Sequence, residues 1–130
     1  MVTKLVTRMN ELGINAELEA FDLGMVNYSI YLIQKGLLKP PYYYNLLFNN
    51  IAGAQADLCH MGISVRDLPE DSYWSFAGIG NTQLKANTIA IASGGGVRVG
   101  LEDNIFFDQK KNMKAKNIDL IKRIHEIAAI

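Results

Sequence analysis

The side chains best suited to chemistry lie in a short run near the C-terminal end, residues 97–103. If this run is a strand, alternation places Arg98, Gly100 and Glu102 on one face and the apolar residues on the other. Two opposite charges on a buried strand are costly unless they pair or bind something, and the glycine leaves room for a ligand or a metal ion. The pattern thus predicts either a functional site or a structural Arg98–Glu102 ion pair, and it does not separate the two.

The elements that would position this run form a repeat. Four predicted strands begin near residues 15, 42, 73 and 97, and a predicted helix follows each of them. This repeat of about 30 residues predicts a parallel α/β sheet with helical crossovers, whose chemistry gathers at the carboxyl ends of the strands, where Glu102 and Asp103 fall. Four units make either half of an eight-fold barrel or a small open sheet. A complete barrel needs about 200 residues or more, and the chain has 130.

The bounds of these elements follow from apolar spacing and from helix caps. Asp22 and Asn117 are predicted caps, and Met25, Tyr28 and Leu32 are predicted to form a core stripe. Another helix is predicted before the first strand. The predicted strands cover residues 15–21, 42–48, 73–77 and 97–101, and the helices that follow them cover 23–35, 56–68, 84–92 and 118–128.

Composition excludes several classes of function. Thirteen Lys and Arg balance thirteen Asp and Glu, and 49% of the residues are hydrophobic. A neutral globular chain is not expected to bind nucleic acid or an anionic membrane as its main partner, and no apolar stretch approaches the roughly 20 residues of a membrane span. The single cysteine, Cys59, allows no internal disulfide and fits the reducing cytoplasm. Its apolar helical surroundings predict packing and not reactivity.

Four stretches, in order along the chain, resemble the β-keto acid cleavage enzymes. They are Glu17-Leu18-Glu19-Ala20-Phe21-Asp22, Lys39-Pro40-Pro41-Tyr42, Trp74-Ser75-Phe76-Ala77-Gly78-Ile79-Gly80 and Val97-Arg98-Val99-Gly100-Leu101-Glu102-Asp103-Asn104. The resemblance implies the C-terminal half of a (β/α)₈ TIM barrel, strands five to eight. Residues 1–130 would then be a single partial barrel domain that lacks the first four strands.

The resemblance also implies roles for individual residues. Glu102 matches a glutamate that binds zinc together with a His-x-His pair on the second strand. Arg98 and Asp103 match a catalytic pair that deprotonates the β-keto acid, and Glu19 matches a glutamate of the substrate pocket. In the implied reaction, zinc polarises the keto group, the carbanion attacks acetyl-CoA as co-substrate, and cleavage releases acetoacetate and a new acyl-CoA.

The chain departs from this family because the His-x-His pair is absent. His60 and His125 fall on predicted helices, away from the strand ends, so neither is expected to replace it. We therefore expect an incomplete zinc site, no activity from the chain alone, and a separate N-terminal half-barrel or a homo-oligomer as partner. The alternatives are a non-catalytic half-barrel that self-associates, or an unrelated small α/β binding module with a doubly wound sheet.

Overall fold

The computed structural model describes residues 1–129, and it contains the predicted order of one helix followed by four strand–helix units. The elements are α1 (Val2–Glu11), β1 (Glu17–Ala20), α2 (Leu23–Gln34), β2 (Tyr42–Phe48), α3 (Leu58–Arg66), β3 (Ser72–Gly78), α4 (Gln83–Ala92), β4 (Gly96–Val97) and α5 (Asn117–Ala128). A short 3₁₀ turn, Gly80–Thr82, precedes α4. No helix in the described part of the chain is long and apolar enough to cross a membrane.

The four strands form one parallel sheet in the order β1-β2-β3-β4. Each strand thus lies beside the next strand in sequence, and right-handed crossovers in one direction place the connecting helices on one face. A doubly wound sheet reverses direction at a switch point, and this sheet does not. The alternative of a doubly wound module is therefore wrong, and the order is that of part of a (β/α)₈ barrel.

The hydrophobic core lies between the sheet and its helices. Tyr44 and Phe48 of β2 and Phe76 of β3 are almost fully buried, and the rings of Phe48 and Phe76 pack edge to face with centroids 4.9 Å apart. Ala86 and Ala90 of α4 are fully buried against this layer. Alternation sends the other residues of each strand to the opposite face, which carries the charged side chains discussed below.

The fourth strand is shorter than the sequence predicts. Only Gly96 and Val97 pair with β3, and one more backbone bond, from Arg98 N to Phe76 O at 3.0 Å, follows the ladder. Leu101 and its neighbours instead form a turn. The predicted strand from 97 to 101 is therefore wrong beyond its first residues, because the chain turns away from β3 at this point.

The helix caps and the predicted core are confirmed only in part. Asp22 caps α2, since its Oδ1 accepts a hydrogen bond from Met25 N at 2.9 Å. Asn117 is not the cap of α5 but its first residue. Met25 and Tyr28 are exposed, contrary to the predicted core stripe, because they lie on α2 beside the edge strand β1; Leu32 is buried as predicted. Cys59 is likewise exposed and not packed.

We expect Gly95→Ala to destabilise the fold by about 1–3 kcal/mol. A Cβ atom at Gly95 would lie 2.1 Å from the ring of Trp74, a clash that the packed ring cannot relieve without moving the start of β4. Urea unfolding measures the change. Gly62→Ala is the matched control, since nothing lies within 4 Å of a Cβ at that helical position; it should be neutral or stabilising by up to about 1 kcal/mol. Equal stability of the two variants would contradict this packing.

Candidate functional site

The guanidinium of Arg98 is the centre of a charge cluster at the carboxyl end of the sheet. Its Nη2 lies 3.0 Å from Oε2 of Glu102, and its Nε donates to Oδ2 of Asp103 at 3.1 Å. Its Nη1 donates to a carboxylate oxygen of Glu19 on β1. One positive charge thus holds three negative ones, which leaves an excess of negative charge around the cluster.

The structure therefore brings together all four residues that the sequence singles out, by a different route from the predicted one. Glu102 does not stand beside Arg98 on a strand face. It lies with Asp103 in the turn that follows β4, and the turn folds both carboxylates back onto the guanidinium. The predicted Arg98–Glu102 ion pair is thus one contact within a larger charge cluster.

The contact between Glu19 and Arg98 spans the width of the sheet. Glu19 lies on β1 and Arg98 follows β4, with two strands between them. Neighbouring strands are about 4.8 Å apart, so side chains perpendicular to a flat sheet would stand about 14 Å apart at this separation. Their contact means that the two ends of the sheet, or the side chains on them, lean toward each other across this face. Such a concave face is the interior side of a barrel.

Asp103 is the buried member of the cluster, with a side chain that is 3% exposed. Burial raises the pKa of its carboxyl, because the charged form loses its hydration, while the nearby charge of Arg98 acts in the opposite direction and offsets part of this rise. A carboxylate with a raised pKa holds a proton more readily than an ordinary aspartate. The guanidinium of Arg98 holds this carboxyl in place through both of its oxygens.

Glu102 has the opposite environment. Its side chain is 84% exposed, and the contact to Arg98 uses one of its two oxygens. The second oxygen is free in the described chain to accept a hydrogen bond or bind a cation. Glu102 is therefore the carboxylate of the cluster that a metal ion or a substrate could reach most easily.

The chain passes from the end of β3 at Gly78 into the 3₁₀ turn at Gly80, and this turn contacts Asp103. Gly80 has φ +63°, a conformation that glycine adopts without strain, and its N–H donates to Asp103 O at 2.7 Å. A cleft of about 220 Å³ lies beside this turn, lined among others by Asn81, Glu102 and Lys111.

A second polar row crosses the same face of the sheet, and the sequence analysis missed most of it. Asn45 Nδ2 donates to Glu17 Oε1 at 3.0 Å, Ser75 Oγ donates to Asn45 Oδ1 at 3.1 Å, and Tyr43 Oη donates to Ser75 Oγ at 3.2 Å. Asn45 and Ser75 are fully buried. A buried polar side chain in an otherwise apolar strand is the signal that could have found them.

The described residues do not complete a metal site. Residues 1–129 contain no group of three or more His, Cys, Asp or Glu that could hold a metal ion. His60 lies on α3, where its Nδ1 is 2.6 Å from Oδ2 of Asp57, and His125 lies on α5. Glu19 and Glu102 both face Arg98, whose positive charge occupies the space between them. Glu102 is thus the one available ligand of the predicted set, and zinc needs three.

The chain is similar over most of its length to three enzymes, two of which are named for acetyl-CoA. A 3-keto-5-aminohexanoate cleavage enzyme from Fusobacterium nucleatum is 38% identical over 120 residues, 91% of this chain and 42% of the relative. A 3-dehydrocarnitine:acetyl-CoA trimethylamine transferase from Rhizobium meliloti is 32% identical over 123 residues, 95% of this chain and 40% of the relative. A 3,5-dioxohexanoate:acetyl-CoA acetone transferase from Paraburkholderia graminis is 31% identical over 111 residues, 82% of this chain and 36% of the relative.

The matches cover most of this chain but only part of each relative. The chain spans less than half the length of each of these relatives. The family model of the beta-keto acid cleavage enzymes matches residues 1–130, the whole of the chain. The four ordered stretches of the sequence, the parallel sheet and this match agree, and the chain belongs to the beta-keto acid cleavage enzyme family.

Proposed function

We propose that the chain supplies the C-terminal half of the catalytic barrel of a β-keto acid cleavage enzyme. Residues 1–130 would form one partial (β/α)₈ domain, with β1 to β4 as the fifth to eighth strands of the barrel. The observation that carries the proposal is the cluster in which Arg98 holds Glu19, Glu102 and Asp103 at the carboxyl end of the sheet, since this is the end at which barrels carry out chemistry.

The proposed substrates are a β-keto acid and acetyl-CoA, which the names of the relatives support. The acidic C–H of a β-keto acid lies between its two carbonyl carbons. Asp103 would accept this proton, because burial makes its carboxylate a better base. Arg98 would orient Asp103 and offset its charge, and Glu19 would contact a polar group of the substrate from the opposite end of the sheet.

The metal of the proposed enzyme needs ligands that the described chain does not supply. Glu102 is the proposed ligand, and an exposed carboxylate beside a cleft suits that role. A catalytic zinc normally has three protein ligands, so two would have to come from a separate N-terminal half-barrel with a His-x-His strand. Neither His60 on α3 nor His125 on α5 is proposed to serve.

An apolar groove beside β1 favours a second candidate function, that of a non-catalytic half-barrel that forms a homo-oligomer. The groove has a volume of about 590 Å³, and the side chains of Val2, Leu5, Met25 and Tyr28 around it are exposed. Exposed apolar surface next to an unpaired strand edge promotes association. Both candidates predict a partner at this edge, and they differ in whether that partner completes a metal site.

We expect the purified chain to bind zinc no better than adventitiously, to sediment as an oligomer at micromolar concentration, and to show no turnover. The N-terminal part of the Fusobacterium nucleatum relative, up to the matched segment, should give a stoichiometric zinc site when co-expressed with it, because only the joined barrel brings three ligands together. Metal analysis after dialysis against a mild chelator and sedimentation velocity measure both effects. Acyl-CoA formation is assayed with 3-keto-5-aminohexanoate, 3-dehydrocarnitine and 3,5-dioxohexanoate.

The controls separate the two candidates. A His125→Ala variant should behave as the parent chain in every assay, since His125 lies in the last turn of α5, at the opposite end of the helix from Asn117, which contacts the segment of the site. Stoichiometric zinc on the chain alone that is lost in His60→Ala or His125→Ala would contradict the proposed ligand set. Association of the chain with itself but not with the added half, without zinc, would favour the non-catalytic half-barrel. A stable, closed monomer would count against both.

A further inference from the structure

The segment that carries Arg98, Glu102 and Asp103 is not held by a β-ladder. The last paired residues are Phe76 and Val97, and one backbone bond, from Arg98 N to Phe76 O at 3.0 Å, follows them. Backbone groups that leave a sheet inside a fold need other partners. What replaces the ladder therefore decides where the charged side chains of the site are placed.

Three side-chain amides from two helices take over this role. Asn87 Nδ2, on α4, donates to Phe76 O at 2.9 Å and to Arg98 O at 3.0 Å. Gln83 Nε2, one turn earlier on α4, donates to Gly100 O at 3.0 Å. From the start of α5, Asn117 Oδ1 accepts from Leu101 N at 2.9 Å. Side chains thus bind the backbone of three of the first four residues after β4: Arg98, Gly100 and Leu101.

The chemistry of the partners fixes the direction of each amide. Asn87 and Gln83 face carbonyl oxygens, so only their NH₂ groups can bond there, and a reversed amide would place two acceptors in contact. Asn117 faces an N–H group, so only its oxygen can bond. Two of the amides are therefore donors to the segment, and the third is an acceptor.

The burial of Gln83 and Asn87 indicates that their contribution is to hydrogen-bond the segment after β4 and not to pack in the apolar core. Gln83 and Asn87 are fully buried on α4, and Gln83 Oε1 and Asn87 Oδ1 have no hydrogen-bond partner in the described residues. A buried acceptor without a partner is unfavourable, and an apolar residue of similar size would avoid this cost. The bonds that these side chains donate are thus what they contribute to the fold.

We propose that Gln83, Asn87 and Asn117 are positioning residues of the site, and that their amides hold the segment 98–103 so that Arg98 meets its carboxylates. The proposal rests on the proposed function for its catalytic meaning, but the positioning itself is a property of this chain. None of the three touches the reacting groups, and each acts through the backbone of the segment that it binds.

The direction of the amides provides a matched test. At both Asn87 and Asn117, replacing Asn by Asp keeps an acceptor oxygen, removes the NH₂ donor and adds one negative charge. Asn117→Asp should therefore retain the parent behaviour, and a carboxylate is also favourable in the first turn of a helix. Asn87→Asp and Asn117→Ala should both release the segment. Thr88→Ala is the control for α4, because within residues 1–129 the hydroxyl of Thr88 donates to Leu84 O of the same helix and to nothing in the segment.

The readouts are the ¹⁵N NMR signals of the chain and its urea unfolding. In Asn117→Ala, we expect hydrogen exchange at Leu101 N–H about tenfold faster, and the Arg98 Nε–H signal shifted toward that of a solvated arginine. Asn117→Asp should restore both signals, and Thr88→Ala should leave them unchanged. Urea unfolding should change little for both Asn117 variants, because this bond is exposed. A change in the Arg98 signal without a change in stability separates positioning from a merely structural role.

Two results would overturn the proposal. One is an unchanged Arg98 Nε–H signal in Asn117→Ala, and the other is an Asn117→Asp variant that resembles Asn117→Ala. If Asn87→Asp does not fold, the comparison of Asn117→Ala with Asn117→Asp still tests the positioning role. All of these signals come from the chain alone and need no activity. A chain that shows them but never gains turnover with an added first half would overturn the proposed function and leave the positioning role standing.

Discussion

Asp103→Asn is expected to lower turnover of the reconstituted enzyme by at least about 100-fold while zinc stays bound. A general base contributes typically 10²- to 10⁴-fold, and an amide cannot accept the proton that a carboxylate accepts. The asparagine keeps the shape of the side chain and one acceptor for Arg98 Nε, but its NH₂ replaces the oxygen that accepts from Arg98 Nη2 at 3.3 Å, so the metal content also reports whether the cluster is retained. Acyl-CoA formation and metal content, measured on the same preparation, test the two parts of this expectation.

Glu102→Gln provides the contrast. The neutral amide oxygen of glutamine is a much weaker zinc ligand than a carboxylate, so this variant should lose both metal and turnover if Glu102 is the ligand. Glu126→Gln, on the exposed side of α5, is the matched control and should change neither. If Asp103→Asn lost the zinc and Glu102→Gln retained it, the roles given to the two neighbouring carboxylates would be reversed.

The sequence alone predicts most of the fold because apolar spacing controls the elements that pack on the core. The first three strands and the helices after them lie close to the predicted positions. The monotonic strand order could not be predicted in this way, since each unit looks the same whether the sheet continues or reverses. The choice between half a barrel and an open sheet therefore depended on the resemblance and on the observed topology.

The fourth strand shows where pattern-based prediction fails. Alternation from Val97 to Leu101 reads as a strand, but the hydrogen bonds of this segment come from Gln83, Asn87 and Asn117, which lie on two helices. Bonds from side chains distant in sequence leave no periodic signal. The prediction still identified the charged residues that meet, because Arg98 and Glu102 are close in sequence whether a strand or a turn connects them.

Burial on the helices was less predictable than helix position. An apolar stripe predicts the face that packs, but Met25 and Tyr28 stay exposed beside the edge strand β1. Burial depends on what lies next to a helix, and this depends on the neighbouring strands. The polar row through Asn45 and Ser75 was missed for a related reason: the apolar character of their strands predicts burial and does not reveal a hydrogen-bond network within it.

The charge cluster predicts a large, pH-dependent effect of removing its cation. Arg98→Met leaves Asp103, which is nearly buried, without an opposite charge. Breaking such a pair costs about 3–5 kcal/mol when both partners are buried. The side chain of Arg98 is 24% exposed, and those of Glu19 and Glu102 are more exposed. We therefore expect Arg98→Met to lower the free energy of unfolding by about 3 kcal/mol at neutral pH, the lower end of this range. Urea unfolding at a fixed protein concentration measures it.

The pH dependence follows from the direction of the pKa shift. Burial already raises the pKa of Asp103, and Arg98 is the largest influence that lowers it, so Arg98→Met should raise this pKa further. A carboxyl whose pKa is higher in the folded state favours folding when protonated. This contribution is fully present below the unfolded pKa, about 3.9, and is lost as the pH rises through the folded pKa. The loss of stability in Arg98→Met should therefore shrink as the pH falls from 7 toward about 4.

The double variant Arg98→Met/Asp103→Asn tests the cause of this effect. If the loss comes from the uncompensated charge of Asp103, Arg98→Met should destabilise the Asp103→Asn chain much less than the parent chain at pH 7. The difference in stability between the double variant and Asp103→Asn should be nearly independent of pH between about 4 and 7. Glu19 and Glu102 are far more exposed than Asp103, so water should solvate their charges when Arg98 is absent. The contrary result is a destabilisation by Arg98→Met that is equal at pH 4 and pH 7 and unchanged by Asp103→Asn. That result would mean that Arg98 stabilises the fold through packing of its side chain and that charge does not hold the cluster.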